Sequence, residues 1–189
     1  MIPRDRITLG ILAGGQGRRL GGVDKAFVIY RGRPLIERCL QACGDGFAER
    51  LVSHPGDVRF GSPQIRAIPD FRSGRLGPLS GLESLLRACR SDWLLSLPVD
   101  LRAIPDGFVD TLCRQANDQG TVVRDADGLQ PLCGLWRVTQ ALPVISARLD
   151  RGALAAQGLL DDLILPVHDI SPLRLGNLNT PDDFLDSDA

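Results

Sequence analysis

Lysine is almost missing from this chain: of 22 basic residues, 21 are arginine and one is Lys25. The two cations differ in shape, hydration and hydrogen-bond geometry, so a position that keeps the one ammonium is a candidate for chemistry a guanidinium serves poorly. A compositional bias with an accidental exception is the other reading. Aromatic residues are scarce as well, at 5 %, with two Trp and one Tyr. Together with a formal net charge of −1, that argues against a nucleic-acid surface built from stacking and basic residues. No stretch approaches the roughly 18 consecutive apolar residues of a membrane span. Met1–Arg6 runs into an apolar segment without the long apolar region of a secretory signal. A cytoplasmic protein is therefore expected, with neither membrane nor nucleic acid among its partners. Histidine is limited to His54 and His168, and the five cysteines (Cys39, Cys43, Cys89, Cys113, Cys133) include no C-x-x-C pair. A zinc site lacks ligands at workable spacing, and reduced, mostly buried thiols are expected.

What is present is an alternation of short apolar runs with segments of helical period, the pattern of β-α-β units around a parallel sheet. Strands are expected at Thr8–Leu12, Arg50–Ser53, Gln64–Ile68, Trp93–Leu97 and Thr121–Arg124. Helices are expected at Pro34–Cys43, with Pro34 at the first helical position, at Pro78–Cys89 and at Asp106–Gln119. The turn cluster Asp125–Gly128 followed by Leu129–Val138 reads as a strand that doubles back antiparallel. Ala141–Leu149 and Ala153–Leu160 read as helical, Leu163–Val167 as a short strand, and Thr180-Pro181-Asp182-Asp183 as the start of a short final helix. The expected fold is α/β: a Rossmann-like three-layer α/β/α arrangement on a mostly parallel sheet with at least one antiparallel strand. Residues 1–189 are read as a single domain, with 186–189 a frayed tail.

The first strand runs into Leu12-Ala13-Gly14-Gly15-Gln16-Gly17-Arg18-Arg19-Leu20-Gly21-Gly22-Val23-Asp24-Lys25. Closely spaced glycines let backbone N–H groups approach a ligand without Cβ interference, and Arg18, Arg19 and Lys25 add positive charge, a combination suited to a triphosphate. The loop also lies at the carboxyl end of a strand, where open α/β sheets bind ligands. The P-loop pattern fails, because Lys25 stands between Asp24 and Ala26. The dinucleotide fingerprint fails too, because Leu20 stands where a glycine is required. Asp70 and Asp100 each follow a strand. A carboxylate at Asp100 suits Mg²⁺, which takes few protein carboxylates plus phosphate oxygens; capping the next turn or pairing with Arg102 is the alternative. For Asp70 the alternative is a pair with Arg72 or Arg75.

Leu12-Ala13-Gly14-Gly15, Arg19, Gly21-Gly22, Asp24-Lys25 and, after Gly32, Pro34-Leu35-Ile36 resemble the opening signature of the molybdenum cofactor guanylyltransferases, nucleotidyltransferases that attach GMP to molybdopterin. The resemblance continues through Asp70, Gly77-Pro78-Leu79-Ser80-Gly81, Leu97-Pro98-Val99-Asp100, Gln130-Pro131-Leu132-Cys133 and Asn177-Leu178-Asn179-Thr180, and so spans the chain in order. Gly-Gly after Leu-Ala, with Asp-Lys downstream, favours the guanylyl over the cytidylyl branch. The resemblance implies GTP and molybdopterin (molybdenum cofactor) as substrates, Mg²⁺ as cofactor, and molybdenum-cofactor delivery proteins as partners. It implies Lys25, Arg19 and Asp100 as catalytic residues, with Asp100 the metal ligand. It further implies a nucleotide site of Leu12, Ala13, Gly14, Gly15, Lys25, Ser53, Asp70 and Asp100, and a molybdopterin side of Gly77, Gly81, Asn177 and Asn179.

Two departures stand out. Where the family usually has Asn-x-Asn this chain has Ser53-His54-Pro55, and Leu101-Arg102 replaces the usual pair with an early proline. Ser53 keeps one hydrogen-bonding group but loses an amide's paired donor and acceptor. As a lone loop histidine, His54 is expected to be solvent-exposed and idle, the alternative being that it acts in the lost amide's place. Three readings stay open: guanylyl transfer to molybdopterin, another nucleotidyl transfer (CTP, or a sugar 1-phosphate acceptor), and a GTP-binding module without catalysis.

Overall fold

A computed structural model describes residues 1–14, 23–56, 60, 63–74 and 76–185. In chain order the strands and helices are β1 (Ile7–Leu12), β2 (Ile29–Tyr30), β3 (Arg33–Pro34), α1 (Leu35–Cys43), β4 (Glu49–Ser53), β5 (Ile65–Ile68), α2 (Pro78–Ala88), β6 (Trp93–Pro98), α3 (Phe108–Gln115), β7 (Gly120–Asp125), β8 (Gly128–Arg137), α4 (Val138–Asp150), α5 (Leu159–Asp162) and β9 (Val167–Asp169). Among the described residues seven strands form one sheet in the order β5-β4-β1-β6-β8-β7-β9, and β2 and β3 form a separate hairpin. β8 runs antiparallel to both its neighbours, while the other adjacent pairs are parallel. The sheet is thus the expected mostly parallel one with an antiparallel strand inserted.

Alternation along the strands sorts side chains onto two cores. Ile7, Leu9, Ile11, Leu95 and Leu97 pack with Leu35, Ile36 and Cys39 of α1 and Phe108, Val109 and Leu112 of α3. Leu12, Leu51, Leu94, Val122 and Trp136 pack on the other face with Leu79, Leu82, Leu85 and Leu86 of α2 and Ile145 and Leu149 of α4. This gives the three expected layers. Where the sheet carries a polar pair it is satisfied: the Trp136 indole N–H donates to Ser96 Oγ at 2.8 Å, and Ser96 Oγ donates to the Leu132 carbonyl at 2.7 Å.

Several sequence boundaries move. Pro34 closes the β2–β3 hairpin and precedes α1 as its N-cap instead of opening the helix. The helix expected to reach Gln119 stops at Gln115, because Asn117 Oδ1 accepts from the N–H groups of Gln119 and Gly120 at 2.9 Å and turns the chain into β7. The strand expected at Leu163–Val167 lies at Val167–Asp169, where β7 offers a free edge. Ala153–Leu160 is a 3-10 turn at Ala156–Gly158 running into α5. The helix expected from Ala141 starts at Val138, and the final helix is a 3-10 turn at Pro181–Phe184. The tail at 186–189 lies outside the described residues.

Candidate active site

Parallel strands bring their carboxyl ends to one edge, and pairing at that edge sets the site. Leu12 pairs with Ser53 of β4 and with Pro98 of β6. The ladder then continues past the strands: Ala13 N–H donates to the Ser53 carbonyl at 3.0 Å, His54 N–H to the Ile68 carbonyl at 3.0 Å, and Val99 N–H to the Leu12 carbonyl at 3.1 Å. The backbone at Ala13, His54 and Val99 is thereby fixed in register beside Gly14, Ser53, Asp70 and Asp100. Leu12 and Ala13 are buried and Gly14 is exposed.

The chain returns to this edge from two directions. Lys25 opens the 3-10 turn Lys25–Phe27, and Asp24 Oδ1 caps that turn by accepting from Ala26 N–H at 3.1 Å. Residues 175–178 lie antiparallel beside 100–103: Leu178 N–H donates to the Asp100 carbonyl at 2.8 Å, Ala103 N–H to the Leu175 carbonyl at 3.0 Å, and Leu101 bridges Asn177. Buried Asp125 ties the same segment to the β7–β8 turn, accepting from Leu175 N–H at 2.9 Å and from the Gln130 amide at 3.0 Å. Asp183 Oδ2 holds its far end, accepting from the N–H groups of Asn179 and Thr180 and from Thr180 Oγ1 at 2.7–2.9 Å. Those hydrogen bonds also keep the Asp183 carboxyl below its usual range.

The strand end after β6 and the two returning segments meet at one ammonium. Lys25 Nζ donates to Asp100 Oδ2 at 2.5 Å and to Asn179 Oδ1 at 2.6 Å. Residues 75 and 154 positions apart in sequence from Lys25 thus share its charge. Asp100 does not pair with Arg102, which bridges to Asp183 at 3.6 Å instead. Asn177 lies two residues from Asn179 in the extended segment, and both are exposed, with Leu178 buried between them.

Of the other sequence candidates, Ser53 is buried and faces Gly81. A Cβ built on Gly81 would lie 2.8 Å from Ser53 Oγ and 3.2 Å from Leu12 Cδ2, so glycine here lets α2 approach the ends of β1 and β4. Gly77 is exposed at φ +77°, a conformation that favours glycine, and turns the chain into α2 with Pro78 at the first helical position. Asp70 is not neutralised by Arg72, and partial desolvation pushes its carboxyl up from the usual range. Gly15, Arg18, Arg19, Gly21 and Gly22, and the possible Asp70 partner Arg75, lie outside the described residues.

His54 overturns the expectation of an exposed, idle side chain. It is buried, and its Nε2 lies 2.6 Å from Asp24 Oδ2. Sequence reasoning also missed Glu83. This carboxylate has no exposed side-chain surface and accepts from Arg72 at 2.6 and 3.0 Å, from Arg87 at 2.9 Å and from Ser146 Oγ at 2.7 Å. The cluster joins the loop after Asp70 to α2 and α4. Burial pushes the Glu83 carboxyl up, but the hydrogen bonds from Arg72, Ser146 and Arg87 outweigh it and hold the group at about 2. A depressed carboxyl stabilises the fold fully above its unfolded value near 4.5 and ceases to do so as pH falls through about 2. Glu83→Gln is therefore expected to cost about 3 kcal/mol at pH 7. The difference from wild type in urea unfolding should shrink between pH 5 and pH 2; a pH-independent difference would remove the ion pairs as its cause.

A family model described as the MobA-like NTP transferase domain matches residues 9–163. A molybdenum cofactor guanylyltransferase of Aliivibrio fischeri strain MJ11 is 32 % identical over 188 residues, covering 97 % of this chain and 96 % of that protein. Another from Cereibacter sphaeroides is 38 % identical over 136 residues, 69 % of each chain. Among solved structures, molybdopterin-guanine dinucleotide biosynthesis protein A from Archaeoglobus fulgidus superposes with a TM-score of 0.74 at 20 % identity, covering 94 % of both chains. Among the described residues, no helix is long and apolar enough to cross a membrane.

Proposed function

The chain belongs to the MobA-like NTP transferase family, and from that premise we propose that it transfers GMP from GTP to the terminal phosphate of molybdopterin. Pyrophosphate is released and the guanine dinucleotide form of the molybdenum cofactor results. The observation that carries the reading is the convergence of Lys25, Asp100 and Asn179 at the carboxyl edge of the sheet, in a chain whose relatives over nearly its full length carry the guanylyltransferase name.

The acceptor phosphate is already an anion, so no general base is needed to create the attacking oxygen. That oxygen forms a bond to the α-phosphorus in line, the α–β bridging P–O bond breaks, and pyrophosphate leaves with the electron pair. The protein then has to supply alignment and positive charge. The Lys25 ammonium has three N–H donors and, among the described residues, gives two of them to Asp100 and Asn179, which leaves one for a phosphate oxygen. Asp100 would hold Mg²⁺ together with phosphate oxygens. Among the described residues no group of three or more His, Cys, Asp or Glu side chains gathers, so the protein offers a carboxylate instead of a cage, the donor set Mg²⁺ takes when phosphates complete its shell. Bound there, Mg²⁺ would neutralise charge on the triphosphate and on the leaving pyrophosphate.

The thiols do not compete as nucleophiles. Hydrogen bonding to Cys43, with burial, pushes the Cys39 thiol well up, and burial does the same to Cys133. Free cysteines, four of them buried, suit a reducing cytoplasm with its GTP pool. The test is pyrophosphate release with molybdopterin as acceptor and GTP, CTP, UTP or ATP as donor in the presence of Mg²⁺. GTP is expected to exceed the others by at least about 100-fold, since a site that hydrogen-bonds one base rejects those that leave its groups unpaired. Equal rates with CTP would overturn guanylyl specificity, and binding of GTP without pyrophosphate release would overturn catalysis.

A further inference from the structure

His54 is the middle residue of Ser53-His54-Pro55, the stretch that departs from the Asn-x-Asn pattern, yet its side chain is 7 % exposed and turns toward the segment that carries Lys25, not toward open solvent. A backbone N–H can only donate, so the 3.0 Å contact from Gly56 N–H makes Nδ1 an acceptor, although the Gly56 carbonyl also lies 3.2 Å from it. The ring proton then belongs on Nε2, which donates to Asp24 Oδ2 at 2.6 Å. Asp24 spends its other oxygen on Ala26 N–H, so one carboxylate ties His54 to the first residues of the Lys25 turn. The last residue of that turn is tied to His54 as well. Phe60 meets the His54 ring edge-to-face at 5.8 Å, and Phe27 stacks on Phe60 at 5.6 Å with 9° between planes. His54 itself is fixed by its N–H bond to Ile68 at the sheet edge.

We propose that His54 is the positioning residue for Lys25: through Asp24 at one end of the turn and Phe60–Phe27 at the other, it sets where the ammonium sits against Asp100 and Asn179. This deepens the guanylyl-transfer reading and rests on it for its kinetic consequence alone. The geometric part is readable without substrate, because a chain with one lysine has one side-chain ammonium resonance.

The experiment labels lysine with ¹⁵N and follows the Lys25 Nζ signal in wild type, His54→Phe, His54→Gln and Asp24→Asn. His54→Phe keeps a ring for Phe60 but loses the donor. Asp24→Asn keeps an acceptor for Ala26 yet sets an amide against the imidazole, and it loses no core volume. Both are expected to shift the resonance and speed its solvent exchange at least about tenfold as the ion pair loosens, whereas His54→Gln, which restores an N–H donor, stays near wild type. In turnover, His54→Phe should lower kcat about 20-fold with KM for GTP nearly unchanged. In a Lys25→Ala background it should cause no further loss. An unchanged ammonium signal in both His54→Phe and Asp24→Asn overturns the proposal, as does an undiminished loss in the Lys25→Ala background. If wild type transfers no GMP, the functional reading fails while the resonance still decides the positioning role.

Discussion

Replacing Asp100 by alanine is expected to cut GMP transfer about 1000-fold, about 4 kcal/mol of transition-state stabilisation. Its side chain is 17 % exposed, and Oδ2 lies 2.5 Å from the Lys25 ammonium. Removing it takes away the carboxylate proposed for Mg²⁺ and one of the two anchors of the ammonium at once. The fold should survive, because Asp100 docks the 175–178 segment through its backbone carbonyl, not its side chain. Asp100→Asn separates the two losses: the amide oxygen still accepts from Lys25 but carries no charge. Pyrophosphate release across a Mg²⁺ titration is the measurement, with both variants expected to show the loss and to need more Mg²⁺ for what activity remains. Wild-type turnover in Asp100→Ala would sink the assignment.

The second large effect is Lys25→Arg, expected to lower kcat about 100-fold although charge is conserved. Asp100 Oδ2 and Asn179 Oδ1 converge on one nitrogen within 2.6 Å, and the lysine side chain is 12 % exposed. A guanidinium spreads its donors over a planar fork. It meets Asp100 side-on or reaches past it, but it does not place one compact cation between these two acceptors and a phosphate. KM for GTP should change little, since the positive charge remains for ground-state binding. Steady-state kinetics check this, with the thermal midpoint as control. Near-normal kcat would return the lone lysine of a 21-arginine chain to accident.

The two variants report on different parts of one arrangement, and the His54 series reports on what holds it. If His54 sets the Lys25 turn, the substitution of Ser53-His54-Pro55 for the amide pair of relatives is a change of device at the same strand end. A histidine reaches sideways to Asp24, while Ser53 lies tight against Gly81. Asp70 lies at the same edge; desolvation pushes its carboxyl up, and Arg72 pairs with Glu83 instead of neutralising it.

The sequence by itself determined the layered α/β plan and the strand ends that matter. Glycine density, apolar alternation and helical spacing are local, and they placed Ile7–Leu12, Glu49–Ser53, Ile65–Ile68 and Trp93–Pro98 to within a residue or two. It also singled out Lys25 and Asp100, one by rarity and one by its place after a strand. It misplaced Pro34, the end of α3 and β9, where hairpin closure, an Asn117 turn and an open sheet edge overrode propensity. Only the tertiary structure decided what each polar group meets. His54 and Asp24 are 30 residues apart, Lys25 and Asn179 are 154 apart, and Arg72 reaches Glu83 and Asp150 on two different helices. No periodicity encodes such pairs. They arise because parallel strands bring every carboxyl end to one edge and a late antiparallel segment returns there, and burial then requires each charge to find a partner.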